Sequence, residues 1–130
     1  MAGVASWVAI VDDDSSVLKA LARLLRTRGF RAKTFLSAQA FLGAPPGDLP
    51  ECLIVDLQMP GMSGLELFQR LTLEGIEIPT IIISAHDDAD VRQRYEAAGV
   101  VAYLLKPLQD TALFAAIARA RTRAEGGQVP

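Results

Sequence analysis

The stretch Cys52-Leu53-Ile54-Val55-Asp56-Leu57-Gln58-Met59-Pro60-Gly61-Met62-Ser63-Gly64 delivers one carboxylate to a turn at the end of an apolar run. Cys52 to Val55 has no polar alternation, which suits a short strand buried on both faces in the middle of a parallel sheet. Asp56 then stands at the carboxyl end of that strand, and in open α/β sheets ligands bind in the crevice outside those ends. The bland role for such an aspartate is a helix cap. Ser63 and Glu66, however, supply the S-x-x-E pattern of a capping box, so the next helix has its cap and Asp56 is left without a structural duty.

Working outward, Trp7-Val8-Ala9-Ile10-Val11 is another unalternating strand and runs into Asp12-Asp13-Asp14. Asp14 or Ser15 can cap a helix in which Val17, Leu18, Leu21, Ala22, Leu24 and Leu25 recur at helical spacing, with Gly29 closing it. Residues 31–35 read as a strand whose charges, Arg31 and Lys33, place it at the sheet edge. Ser37 opens a brief helix through Leu42, and Gly43-Ala44-Pro45-Pro46-Gly47 forces a loop. Beyond Asp56 the spacing predicts a helix over 63–73 with Leu65, Phe68 and Leu71 inward, then a strand over 80–84. Asp87 or Asp88 caps a helix that Gly99 closes, and residues 100–105 form a fifth strand. The last helix, over 110–123, buries Leu113, Phe114 and Ile117. Five strands alternating with five helices make an α/β fold with a doubly wound parallel sheet, because parallel neighbours need crossover helices on both faces.

The 130 residues suit one domain, read as 7–123 between an N-terminal extension (1–6) and a C-terminal tail (124–130). A net charge of −2 argues against a chain-wide nucleic-acid footprint. The single cysteine excludes an internal disulfide, and its place inside an apolar strand makes Cys52 an inert, packed thiol. No apolar run reaches the roughly 18 residues of a membrane span, and no signal-like segment opens the chain, so a soluble cytoplasmic protein is expected.

Polar residues stand at the carboxyl ends of several strands that are otherwise apolar: Asp12, Asp13 and Asp14 after the first, Asp56 after the third, Ser84 after the fourth, Lys106 after the fifth. Each alone has an ordinary explanation as a solvated turn, a cap or an exposed lysine. Four on one sheet edge do not. With the first and third strands adjacent, the carboxylates come within a few ångströms and demand a positive charge between them. A hard divalent cation held by carboxylates answers that demand. Lys106 adds a compact positive charge and Ser84 a hydroxyl donor. This set suits attack of a carboxylate on phosphorus to form an aspartyl phosphate.

The segments Ile10-Val11-Asp12-Asp13, Val55-Asp56-Leu57-Gln58-Met59-Pro60-Gly61-Met62-Ser63-Gly64, Ile82-Ile83-Ser84-Ala85, Ala98-Gly99 and Tyr103-Leu104-Leu105-Lys106-Pro107 together resemble the response-regulator receiver domains of two-component signalling. The likeness covers about residues 7–121. Within that CheY-like superfamily, Ile10 to Asp14 and Ser37 to Leu42 look most like the FixJ type, whose members usually carry a C-terminal LuxR-type helix-turn-helix that this sequence does not contain. The resemblance implies a three-layer, flavodoxin-like sheet of order 2-1-3-4-5.

It also implies residue roles. Asp56 matches the phospho-acceptor, and Asp12, Asp13 and the backbone carbonyl of Gln58 match ligands of Mg²⁺ (or Mn²⁺), Asp13 more directly than Asp12. Lys106 matches the lysine that pairs with the phosphoryl group, Ser84 the hydroxyl that moves toward it, and Tyr103 the aromatic switch residue. Gln58 and His86 match positions whose side chains modify loss of the phosphoryl group. The Lys106-Pro107 bond is expected to be cis. Implied partners are a sensor histidine kinase, meeting the first helix near Val17 and Leu18 and the loop after Lys106, and a downstream output domain or protein. Neither nucleic acid nor membrane is an expected partner, and a homodimer would form through the fourth helix, fifth strand and fifth helix. On this reading the chain is a switch with self-catalysed chemistry, not a turnover enzyme. The alternatives are an Mg²⁺-dependent aspartyl-phosphate phosphohydrolase, which could use the D-x-D spacing of Asp12 to Asp14, and a pseudo-receiver that only binds. Arg119, Arg121 and Arg123 read as a solvated helix end.

Overall fold

A computed structural model describes residues 7–44, 47 and 49–126, with side-chain surroundings through Arg123. The expected extension, residues 1–6, and the last four residues of the expected tail lie outside the described residues. In chain order the elements are β1 (Trp7–Val11), α1 (Ser15–Thr27), β2 (Arg31–Phe35), α2 (Ala38–Leu42), β3 (Cys52–Asp56), α3 (Gly64–Leu73), β4 (Thr80–Ser84), α4 (Ala89–Ala98), β5 (Ala102–Leu105) and α5 (Asp110–Gly126). All four strand pairings are parallel, in the order β2-β1-β3-β4-β5. The edge position of the charged strand β2 and the adjacency of β1 and β3 follow the expectation.

β1, β3 and β4 are buried along their whole length, which is why their sequences do not alternate. Their side chains divide between two cores. Val8, Ile10, Cys52, Ile54, Ile81 and Ile83 meet α1 and α5, through Leu18, Leu21, Leu25, Leu113, Ala116 and Ile117. Trp7, Ala9, Val11, Leu53, Val55 and Ile82 meet α2, α3 and α4, through Ala38, Leu67, Leu71 and Tyr95. Helices cover both faces of the sheet, so its carboxyl edge is the open place for chemistry.

Several expectations are corrected. On α3 Leu67 joins Leu71 as buried, while Leu65 and Phe68 face the core as expected but pack against it only partly covered. The rotation is set by Gly64, which packs on the backbone of Asp56 and brings 64, 67 and 71 into line toward the sheet. On α5, Phe114 is likewise half-buried while Ala116 and Ala120 are enclosed. β5 begins at Ala102, because the amide of Val100 donates back to the Tyr95 carbonyl as part of the α4 ending. α5 runs to Gly126, three residues past the expected Arg123. Leu18 packs in the core, which removes its side chain from any docking role, and Val17 is partly covered.

Candidate functional site

β1 ends at Val11 and β3 at Asp56, side by side with Val11 opposite Val55. The carboxylates of Asp12, Asp13 and Asp56 therefore converge, each offering an oxygen within 4.8 Å of the others. Asp12 and Asp56 are buried, while Asp13 faces solvent. The third aspartate of the run is used structurally: Asp14 caps α1, accepting from the Ser16 amide at 2.9 Å and the Ser16 hydroxyl at 2.6 Å. Those two bonds hold its carboxyl below the usual aspartate range.

Lys106 follows β5 and reaches across the sheet edge. Its Nζ lies 3.0 Å from a carboxylate oxygen of Asp12 and 3.3 Å from one of Asp56. Partial burial pulls the ammonium down, but the hydrogen bonds and charges of Asp12 and Asp56 outweigh it and the net direction is up. Asp56 moves up as well, first through burial and then through the Asp12 carboxylate, which together exceed the relief from Lys106. One cation shared unequally between two buried carboxylates, with Asp13 beside them, leaves a surplus of negative charge at Asp56. That surplus, carried by oxygen donors alone, fits a hard divalent cation, with Asp12, Asp13 and Asp56 as the side chains that would hold it.

Ser84 ends β4 and is buried, with its backbone carbonyl accepting from the Lys106 amide at 2.8 Å. Its hydroxyl is occupied in the loop beyond: it accepts from the His86 amide at 3.0 Å and donates to the His86 carbonyl at 3.2 Å. Tyr103, opposite Ile82 on β5, is also buried, and its hydroxyl donates to the same His86 carbonyl at 3.2 Å. The ring leans on Tyr95 of α4, with centroids 5.9 Å apart, and Arg92 of α4 lies over it at 5.5 Å. Tyr103 is thus a packed strand aromatic whose hydroxyl is bonded within the protein. The His86 backbone ties Ser84 to Tyr103, while its side chain faces solvent.

The turn after Asp56 is equally constrained. The Leu57 carbonyl accepts from the Gly64 amide at 3.0 Å, and Ser63 and Glu66 form the capping box. Gln58 follows with an exposed side chain, and the Lys106-Pro107 bond is cis. Two arginines read as solvated have partners: Arg121 pairs with Glu51 at 2.6 Å, and Arg123 donates to the Gly99 carbonyl at 2.6 Å. Arg92, which covers Tyr103 and meets Asp87 at 3.4 Å, carried no signal in the sequence, since an exposed-face arginine on a polar helix is unremarkable.

The response regulator receiver domain family matches residues 8–118. Among curated relatives, the transcriptional regulatory protein FixJ of Rhizobium meliloti is 42% identical over 113 residues, covering 87% of this chain and 55% of that protein. The response regulator protein TodT of Pseudomonas putida is 39% identical over 117 residues, covering 90% and 52%. The chain thus spans about half the length of these relatives. Among solved structures, FixJ-N matches with a TM-score of 0.82 at 40% identity, covering 92% of this chain and 95% of that one. The response regulator StyR matches with a TM-score of 0.86 at 39% identity, covering 96% and 64%. With its strand order, its carboxylate and lysine edge and these relatives in agreement, the chain belongs to the response regulator receiver domain family and is a receiver of the FixJ type.

Proposed function

We propose that this receiver accepts a phosphoryl group on Asp56 from a sensor histidine kinase, in the cytoplasm, and passes the change to an output domain or partner protein. The observation that carries this reading is Lys106 Nζ set between Asp12 and Asp56, with Asp13 completing the carboxylate cluster. An oxygen of Asp56 attacks phosphorus as the bond to the donor's leaving group breaks. Lys106 faces the charge that develops on the phosphoryl oxygens, and Ser84 can turn its hydroxyl from the His86 carbonyl toward one of them. Mg²⁺ or Mn²⁺, held by Asp12, Asp13, Asp56 and the Gln58 carbonyl, would supply further neutralisation of those oxygens. Releasing the Ser84 bond leaves Tyr103 alone on His86, which biases the packing of α4 and β5. The same α4, β5 and α5 face is the expected route to a homodimer or an output partner, and the exposed side chains of Gln58 and His86 would tune hydrolysis of the acyl phosphate.

The reading supports a switch, not a turnover phosphohydrolase. Asp14, which a D-x-D acid would require, is committed to capping α1. The pseudo-receiver alternative has no missing acid or lysine to favour it. The test is incubation with acetyl phosphate and Mg²⁺, followed by intact-mass measurement. Wild type should gain one phosphoryl group and Asp56→Asn none; equal gain in both, or steady release of phosphate from a small phosphoester, overturns the assignment.

A further inference from the structure

One surface lies apart from the carboxylate site and from the Val17 line of α1: the outer face of α1 with the edge strand β2. From Ser15 to Ser37 the chain holds six of its 13 Lys and Arg and none of its 15 Asp and Glu. These are Lys19, Arg23, Arg26, Arg28, Arg31 and Lys33, and all six are exposed. Among the described residues, no ion pair uses any of them. Lys19, Arg23 and Arg26 fall on one line of the helix, about 10 Å long at 1.5 Å per residue. They line a groove of about 490 Å³ with Ala22, Thr27 and, from β2, Thr34.

Like charges at this spacing oppose helix formation, so the stripe works against the stability of α1. Three of the cations are nevertheless held in place by groups that leave their charge intact. Arg26 donates to the Ala32 carbonyl at 3.3 Å, Arg28 lies 4.1 Å over the Phe114 ring, and Lys33 lies 4.5 Å over the Trp7 ring. A cationic face of this kind, with Arg26 held in the groove and Arg28 and Lys33 held beside it, is complementary to carboxylates.

We propose that this face docks an acidic polypeptide segment. Nucleic acid or an anionic membrane fits it less well, because the stripe stops at exposed Asp13 and Asp14, next to buried Asp12. A surface of uniform negative charge laid along α1 would meet those carboxylates, whereas a polypeptide can end its acidic stretch there. The docked segment would sit within a few helical turns of the carboxylate site.

The experiment is a ¹⁵N NMR titration of the full chain with poly-L-glutamate, run in parallel with a DNA duplex and with phosphatidylcholine/phosphatidylserine vesicles. Poly-L-glutamate should shift the amides of residues 19–34 and bind about tenfold more weakly at about 200 mM than at about 50 mM NaCl. Lys19→Glu/Arg23→Glu/Arg26→Glu should lose at least about tenfold in affinity. Because Arg26 also bonds Ala32, Lys19→Gln/Arg23→Gln serves as a second variant that keeps this bond, and it should lose several-fold. Tighter binding of DNA or vesicles at this face, amide shifts elsewhere, or unchanged affinity in both variants overturns the proposal.

Discussion

Lys106 divides one positive charge between two carboxylates, and the division is unequal: its Nζ is 3.0 Å from Asp12 and 3.3 Å from Asp56. Burial and the Asp12 charge push the Asp56 carboxyl up, so the ionised acceptor is a local cost to the metal-free fold. In chelator, Asp56→Asn should therefore be more stable than wild type, by on the order of 1 kcal/mol once solvent screening at the open edge is allowed for. A thermal melt that puts the variant below wild type contradicts this charge balance. Cys52 is the other perturbed group on β3, its thiol pushed from 9.0 to about 12, first by burial and then by the Glu51 charge. A folded value raised above the unfolded one means stability is intact below pH 9 and is lost as pH rises toward 12. Each unit in that window removes about 1.4 kcal/mol. Urea unfolding under reducing conditions should show this alkaline loss in wild type and a shallower one in Cys52→Ala; parallel slopes contradict it. At this scale Asp12, Asp56, Ser84 and Lys106 were legible because each ends an apolar run. The shared His86 carbonyl was not, since backbone geometry in a loop decides it, and neither were the partners of Arg121 and Arg123, which come from distant segments.

At the scale of elements, α3 is aimed by a glycine. A Cβ on Gly64 would stand 2.6 Å from the backbone oxygen of Asp56, a contact no side-chain movement relieves. Gly64→Ala must push α3 off β3, costing about 2–4 kcal/mol and displacing the acceptor turn. Gly75 ends the same helix with φ +74° and nothing within 4 Å of a Cβ, so Gly75→Ala bears only the left-handed backbone cost, about 1 kcal/mol. Chemical denaturation should rank the two in that order, and only Gly64→Ala should slow labelling by acetyl phosphate. The reverse ranking would mean that α3 is positioned by its leucines instead. The element boundaries were mostly legible because caps are written locally: Asp14, Ser37, Ser63 and Asp88 each accept backbone amides at a helix start. The inward face of α3 was legible only in part, since Leu65, Leu67, Phe68 and Leu71 all pack on the core and the tight approach of Gly64 decides which of them are enclosed.

For the whole molecule, stability is distributed unevenly across the two layers of helices. α1 buries Leu18, Leu21, Ala22 and Leu25, whereas α4, of comparable span, buries Tyr95 alone and leaves Val91 and Arg92 partly covered. α4 rests on β5, a four-residue strand whose last two residues are only partly enclosed. The fixed part of the site, Asp12 and Asp56, extends from the fully buried β1 and β3, and Tyr103 stands on the weaker side. Local opening draws on elements with few buried apolar groups, so α4 and β5 should open well below the global unfolding free energy. Native-state hydrogen exchange should find α4 amides at least about tenfold faster than those of β1, β3 and α1. Removing the Tyr95 side chain, as in Tyr95→Ala, should widen the gap while leaving β1 and β3 slow. Equal protection of α4 and α1 would mean that this face moves only as part of the whole domain, and that the Ser84 to Tyr103 link through His86 has no loose element to bias.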